Sequence, residues 1–304
     1  MTDEPRNIAA SVRQRLKNLA DQQRRPFQEV LQYFAIERFL YRLGESPHRD
    51  AFLLKGAMML AAWRAPAIRP TMDIDLLGRG RDAAGTLTTV IRELCYMDLQ
   101  MPDGLDFDAG SVTTEDITVD SDYVGTRATF RATLGTARVP MQIDLGIGDA
   151  VIEPQSDVEL PTLLDFPPPR LHGYSRESAV AEKLHAMVVH GRLNSRMKDF
   201  FDVLLLSRHF TFDGETLARA IRETFDRRAT RVPEHIVGLT PEFANEAGKQ
   251  AQWRSFLRKI RVEDDDELAH VVAELSSFLQ PVADALARRG SLPVSWSPNK
   301  GWSA

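Results

Sequence analysis

The sequence predicts an α+β protein, with a mixed sheet and helices in its first half and helices alone in its second. Three observations predict this. Residues 111–119, 123–134 and 138–147 are rich in Val, Thr and Ile and are separated by turn residues, so they read as an antiparallel meander. Residues 72–77, MDIDLL, alternate polar and apolar like a further strand. Beyond the Pro167-Pro168-Pro169 run, which can continue neither helix nor central strand, the apolar spacing is helical only.

Taken in order, residues 6–20 read as a helix, and residues 26–43 as a stronger one. Pro26 suits its first turn and Gly44 its stop. Residues 51–63 are a short apolar run, a Lys-Gly break and a helix-forming run, and residues 82–96 are helical again. After the prolines, Ser175 can cap a helix over 176–190 with Gly191 as its stop. Helices follow at 196–208, at 214–228 capped by Asp213, at 241–260 and at 265–289. The expected organisation is a core domain over 1–166, a helical domain over 170–290 and a surface tail over 291–304.

The 304 residues carry a net charge of −5, with 43% hydrophobic and 27% charged residues. This is ordinary globular composition, without the global positive field of a general nucleic-acid binder. Arginine is clustered locally: Arg64, Arg69, Arg79 and Arg81; Arg222, Arg227, Arg228 and Arg231; Arg254, Arg258, Lys259 and Arg261. No signal peptide and no membrane span is expected. The single cysteine, Cys95, is expected to pack as a small apolar residue, and a reducing cytoplasm fits.

The sharpest feature is Asp73-Ile74-Asp75. Strand side chains alternate, so the two carboxylates share a face about 6–7 Å apart while Ile74 points into the core. Such a pair stays charged only beside a cation, or else one pKa rises. Mg²⁺ (or Mn²⁺) prefers oxygen ligands and leaves positions open for substrate phosphates. Asp144, which interrupts the apolar strand MQIDLGI, becomes a third ligand if its strand lies beside the first. Otherwise it opens a turn toward Gly146. Upstream, Lys55-Gly56 sits where a strand turns into a helix, a place that suits phosphate. Arg69 and Thr71 precede Asp73, and the Thr71 hydroxyl shares the aspartates' face if the strand reaches back to it.

LLKGAMML followed by RPTMDIDLL resembles the nucleotidyltransferase pattern of the AbiEii toxins of type IV toxin–antitoxin systems. AEKLHAMVVHGRLNSRMKDFFDVLLL, residues 181–206, is similar to that family's helical motifs. The resemblance spans residues 50–206 in three ordered blocks. It implies a polymerase-β-like core followed by helices, a metal held by Asp73 and Asp75, and an NTP donor. Lys183 matches the family's functional lysine, and Asp199 or Asp202 its downstream acid. Related toxins modify the 3′ end of tRNA and so block translation, which implies an RNA acceptor and a cognate antitoxin, expected to be a winged-helix regulator encoded alongside. Two departures stand out. Ala57 follows Gly56 where the family has Gly or Ser, which removes a hydroxyl contact to phosphate, and Thr71 stands where Ser is usual.

Read on their own, Lys183 emerges among small apolar neighbours on its helix. Asp199 and Asp202 share a face at i, i+3, with Arg196 placed to pair with Asp199. One of the aspartates then orients Lys183, or both serve structural ion pairs. His185, His190 and His209 form no metal-ligand spacing, and Trp63, Phe200, Phe201 and Phe210 read as core. Three other functions stay open: a nucleotide-binding regulator without turnover, an interaction protein with an incidental DxD, and transfer to a protein side chain.

Overall fold

The structure is a computed structural model that describes residues 7–66, 70–79, 83–119, 123–261 and 266–303. It forms two compact units. The first comprises Met1–Arg64, Pro70–Gly148 and Gln155–Gly173, and the second Ala65–Arg69, Asp149–Pro154 and Tyr174–Ala304.

In the first unit the helices and strands run α1 (Ile8–Gln23), α2 (Phe27–Glu45), β1 (Phe52–Lys55), α3 (Ala57–Ala62), β2 (Ile74–Gly78), α4 (Ala83–Cys95), β3 (Leu105–Val119), β4 (Tyr123–Leu134), β5 (Ala137–Ile147), β6 (Gln155–Glu159) and β7 (Arg170–Gly173). The seven strands make one mixed sheet in the order β3-β4-β5-β2-β1-β7-β6. The expected meander is there as β3, β4 and β5. β2 pairs parallel with β5 and antiparallel with β1, and β1 pairs parallel with β7. β6 and β7 were not expected. They are four or five residues long and mostly polar, so neither period shows in them. The triproline, expected to act as a linker, instead leads straight into β7.

The sheet's core face is apolar. Ile74, Leu76, Phe130, Met141, Ile143 and Leu145 are all 3% exposed or less, and Phe39 of α2 packs against Phe107 and Phe130. α2 does not stop at Gly44 but continues to Glu45. Gly44 serves a different need, because a Cβ there would lie 2.6 Å from the Arg170 carbonyl oxygen. The glycine lets β7 approach the helix. Cys95 is a free thiol. Burial pushes it up to about 11, which makes it inert, as a small core residue would be.

α2 also buries charge. Arg38 and Arg42 both bond Asp103, and the Glu37 carboxylate accepts from Leu163 N at 2.8 Å. Burial pushes Glu37 up to about 7, against the Leu163 N–H and Arg38, which pull it down. A carboxyl raised above its ordinary value stabilises the fold at acid pH and loses that contribution as pH rises through about 7. Glu37→Gln keeps an acceptor for Leu163 and cannot ionise. Relative to wild type it should gain roughly 2–4 kcal/mol between pH 5 and pH 8, read by denaturant unfolding at the two pH values.

The second unit holds α5 (Arg176–His190), α6 (Met197–His209), β8 (Phe212–Asp213), α7 (Gly214–Arg227), α8 (Pro241–Asn245), α9 (Ala247–Ile260), α10 (Leu268–Arg288), β9 (Ser295–Ser297) and β10 (Gly301–Trp302). Ser175 and Asp213 cap α5 and α7 as their positions suggested, accepting from Ser178 N and Thr216 N. The span expected as one helix over 241–260 breaks into α8 and α9. Within residues 291–304, expected to be a surface tail, Ser295–Ser297 and Gly301–Trp302 are strands of a small sheet ordered β10-β9-β8. Trp296, 9% exposed, donates to Ser207 O and packs on Phe278, so burial of its ring ties the segment down. Among the described residues, no helix is long and apolar enough to cross a membrane.

Candidate active site

The chain reaches the site on strands. β1 ends at Lys55, and Gly56 turns into α3 with φ 69° and ψ −152°. That backbone region is open essentially to glycine alone. The reason for the glycine is steric: a Cβ at Gly56 would fall 1.9 Å from Asp75 Oδ2. Gly56 therefore makes room for the Asp75 carboxylate. Ala57, the first residue of α3, is 3% exposed and its methyl lies in the core. Gly56→Ala should cost about 1–3 kcal/mol in stability. By displacing the carboxylate it should also lower nucleotide transfer roughly a hundredfold. Melting and turnover of the same variant check both effects.

β2 begins at Ile74, so Thr71 lies in the segment before it and not on the strand. Its hydroxyl still donates to Asp73 Oδ1 at 2.6 Å and so fixes that carboxylate. Asp75 pairs directly with Asp144 across the parallel β2–β5 ladder. Carboxylate oxygens of Asp73, Asp75 and Asp144 lie within 4.8 Å of one another, all half-buried. The structure thus brings the three aspartates together, and Asp144 does not open a turn. Arg69 lies outside the described residues.

Sequence reasoning missed two neighbours of Asp144. Arg127 grips it with two parallel hydrogen bonds, Nε to Oδ1 and Nη2 to Oδ2, both 2.8 Å. Gln142, two residues along the same face, donates to the same oxygens at 3.2 and 3.3 Å. Its hydrogen bonds to the Asp144 carboxylate hold the Arg127 guanidinium above its ordinary pKa. The registers now line up one row across five strands: Glu115, Arg127, Asp144, Asp75 and Lys55. Directly paired residues share a face, so charges of alternating and clustered sign run across the open side of the sheet.

The donor set suits a divalent, oxygen-seeking cation. It offers three carboxylates within ligand reach and no sulfur or imidazole. Each carboxylate has about four lone-pair sites, and Arg127 and Gln142 already engage most of those on Asp144. Asp73 and Asp75 would be the principal ligands.

The second unit builds a separate cluster. Lys183 on α5 sits between two buried aspartates of α6, with Nζ 3.0 Å from Asp199 and 2.8 Å from Asp202. Both aspartates are 1% exposed, and Arg196 closes on Asp199 at 2.6 Å. Burial alone would raise Asp199, but Lys183 and Arg196 outweigh it and hold the carboxyl well below its usual range. Of the histidines, His185 packs on Phe225 and bonds Thr230. Arg228 is not a free cation of its cluster: it is buried and ion-paired with Asp149 at 2.9 Å. Phe200 and Phe201 lie in the core, whereas Trp63 and Phe210 are only half-buried.

The chain matches the nucleotidyl transferase AbiEii toxins of type IV toxin–antitoxin systems over residues 38–288. It belongs to the AbiEii family. Among curated proteins, none matches the chain. Two solved Helicobacter pylori structures align with this AbiEii protein. One, assigned as a nucleotidyltransferase, is 14% identical with a TM-score of 0.44, covering 86% of this chain and 96% of its own. The other, JHP933, is 13% identical with a TM-score of 0.44, covering 86% and 93%. Membership makes this AbiEii protein a toxin-type nucleotidyltransferase and implies an NTP as substrate and an antitoxin as partner. The carboxylate centre and the Lys183 cluster both fall inside the matched span.

Proposed function

We propose that this AbiEii protein is a Mg²⁺-dependent (or Mn²⁺-dependent) toxin that moves NMP from an NTP to an RNA, the 3′ end of tRNA, and so blocks translation in the cytoplasm. A winged-helix antitoxin is its proposed counterpart. The observation that carries this reading is the convergence of Asp73, Asp75 and Asp144 beside Gly56.

The reaction is in-line attack of an acceptor hydroxyl oxygen on the α-phosphorus. The bond to the β-phosphate bridging oxygen breaks, pyrophosphate leaves, and the hydroxyl proton passes to Asp144. A bound divalent cation supplies charge neutralisation and a more acidic hydroxyl. Asp73 and Asp75 would hold that cation, and Thr71 keeps Asp73 in place. Arg127 and Gln142 orient the Asp144 carboxylate toward the open face. Lys55, opposite Asp75 in the ladder, supplies positive charge on the donor side. Gly56 keeps the backbone close to the carboxylates, and Ala57 and Arg69 complete the proposed donor-binding segment. Lys183, immobilised by Asp199 and Asp202, is proposed to be required for transfer as a fixed point charge. The exposed arginines Arg222, Arg227 and Arg231 would meet RNA phosphates, which makes binding sensitive to salt.

The test is incubation with each α-labelled NTP, Mg²⁺ and total tRNA, with and without a chelator. Label in RNA that disappears with the chelator is the expected result. Label on protein would move the acceptor to a side chain, and no label anywhere would end the transferase reading.

A further inference from the structure

We propose that an open groove on β3, β4 and β5 seats the 3′-terminal nucleotide of a single-stranded polynucleotide acceptor. The inference rests on the transferase reading and adds the place and form of its acceptor.

The groove measures about 570 Å³, and its lining includes Met72, Ser111, Thr113, Thr129, Arg131 and Gln142. Thr129 and Arg131 follow Arg127 at i+2 and i+4 and Gln142 precedes Asp144 by two, so these side chains share the open face with the charged row. The groove is continuous with the carboxylates. Gln142 both lines it and donates to Asp144, and Met72 directly precedes Asp73. Sheet order decides which substrate lies here. Lys55 ends β1 and Gly56 follows it, on one side of β2, whereas β5, β4 and β3 lie on the other. A triphosphate drawn to Lys55 leaves this side for the hydroxyl that meets Asp144.

The lining suits a nucleotide. Met72 is 52% exposed and offers a polarisable thioether to a base face. The Thr113 and Thr129 hydroxyls, 2.9 Å apart, and the Gln142 amide offer donors and acceptors to sugar and base edges. Arg131, its side chain 68% exposed and paired with the exposed Asp108 at 3.0 Å, stands about two strand repeats from Asp144, where exchange of that solvent-exposed pair would let it meet the nucleotide's own phosphate. The volume falls within the range of small-ligand sites. Length is limited by β3, whose exposed Asp106, Asp108 and Glu115 share the open face and repel further phosphates. A single terminal nucleotide fits these charges, and a duplex does not.

The test uses the full chain and a short single-stranded RNA carrying 4-thiouridine at its 3′ end. Irradiation should crosslink the RNA to Met72 or to residues 111–113 or 127–142, mapped by mass spectrometry. The same RNA with 4-thiouridine at its 5′ end should not crosslink there. Thr129→Trp, at an exposed position, should raise the acceptor KM roughly tenfold or more and leave the NTP KM within about twofold. Crosslinks elsewhere, no crosslink, or a shift in the NTP KM in place of the acceptor KM would overturn the proposal. Groove crosslinks without nucleotide transfer would leave the groove standing and sink the transferase reading. Transfer with crosslinks elsewhere would do the reverse. The wild-type crosslink map decides the matter even if Thr129→Trp fails to fold.

Discussion

Asp75→Asn should abolish nucleotide transfer, by roughly a thousandfold or more, while leaving the protein folded. Asp75 is the strand residue that lies against Gly56, stands opposite Lys55 and pairs with Asp144. Losing one charged ligand of a divalent cation removes several kcal/mol of charge stabilisation, and about 4 kcal/mol corresponds to three orders of magnitude in rate. The amide has the carboxylate's shape and removes one negative charge from a cluster of three. The melting temperature without metal should therefore hold steady or rise. Added Mg²⁺ should raise the melting temperature of wild type, because a ligand bound only to the folded state stabilises it, and should leave that of Asp75→Asn unmoved. Comparable turnover in the variant would remove the carboxylate centre from the mechanism. An equal Mg²⁺ shift in both proteins would place the cation elsewhere.

Lys183→Met should be the most destabilising of these substitutions. Asp199 and Asp202 are each 1% exposed, and both lose the same ammonium. Breaking a buried ion pair from one side leaves uncompensated charge and costs about 3–5 kcal/mol, a fall in melting temperature of roughly 10 °C for a chain of this size. The pH dependence has a defined sign. Asp199 lies below its ordinary value, so its contribution is present above that value and fades as pH falls through the folded one. The gap between wild type and Lys183→Met should therefore narrow under acid conditions, as the stranded aspartates take up protons. Lys183→Met/Asp202→Asn should recover part of the stability, because it removes one orphaned charge. If the double variant is stable but inactive, Lys183 is needed for transfer beyond holding the fold. If it is stable and active, the cluster is an ion-pair clamp alone.

The sequence made the alternation of Asp73 and Asp75 plain, because a strand period of two is local and Ile74 marks the core side. The pairing of Arg127 with Asp144 was equally legible and was overlooked. Leu134 pairs with Ala137 around the two-residue turn Gly135-Thr136. That register, extended back along both strands, sets Arg127 opposite Asp144. The parallel match of Asp75 with Asp144 is different, since the long connection between β2 and β5 leaves register to packing of the core face. The same limit hid β6 and β7, whose short polar strands exist only through their partners. Gly44 looked like a helix stop because nothing local announces the close passage of β7. Nothing local sets Arg228 apart from the other arginines of its cluster, because Asp149, its buried partner, is distant in sequence.

The place of β1 between β2 and β7 has a consequence for how the chain matures. Its antiparallel partner follows soon after it, but its parallel partner comes from the far end of the first unit. Contacts of such wide separation form late, because the loop must be closed before they reward the closure. A nascent polypeptide that has released β2 from the ribosome but not Arg170–Gly173 leaves the Phe52–Lys55 strand with a bare edge. Premature termination anywhere before that point yields fragments in which the strand beside the acidic centre lacks its parallel partner.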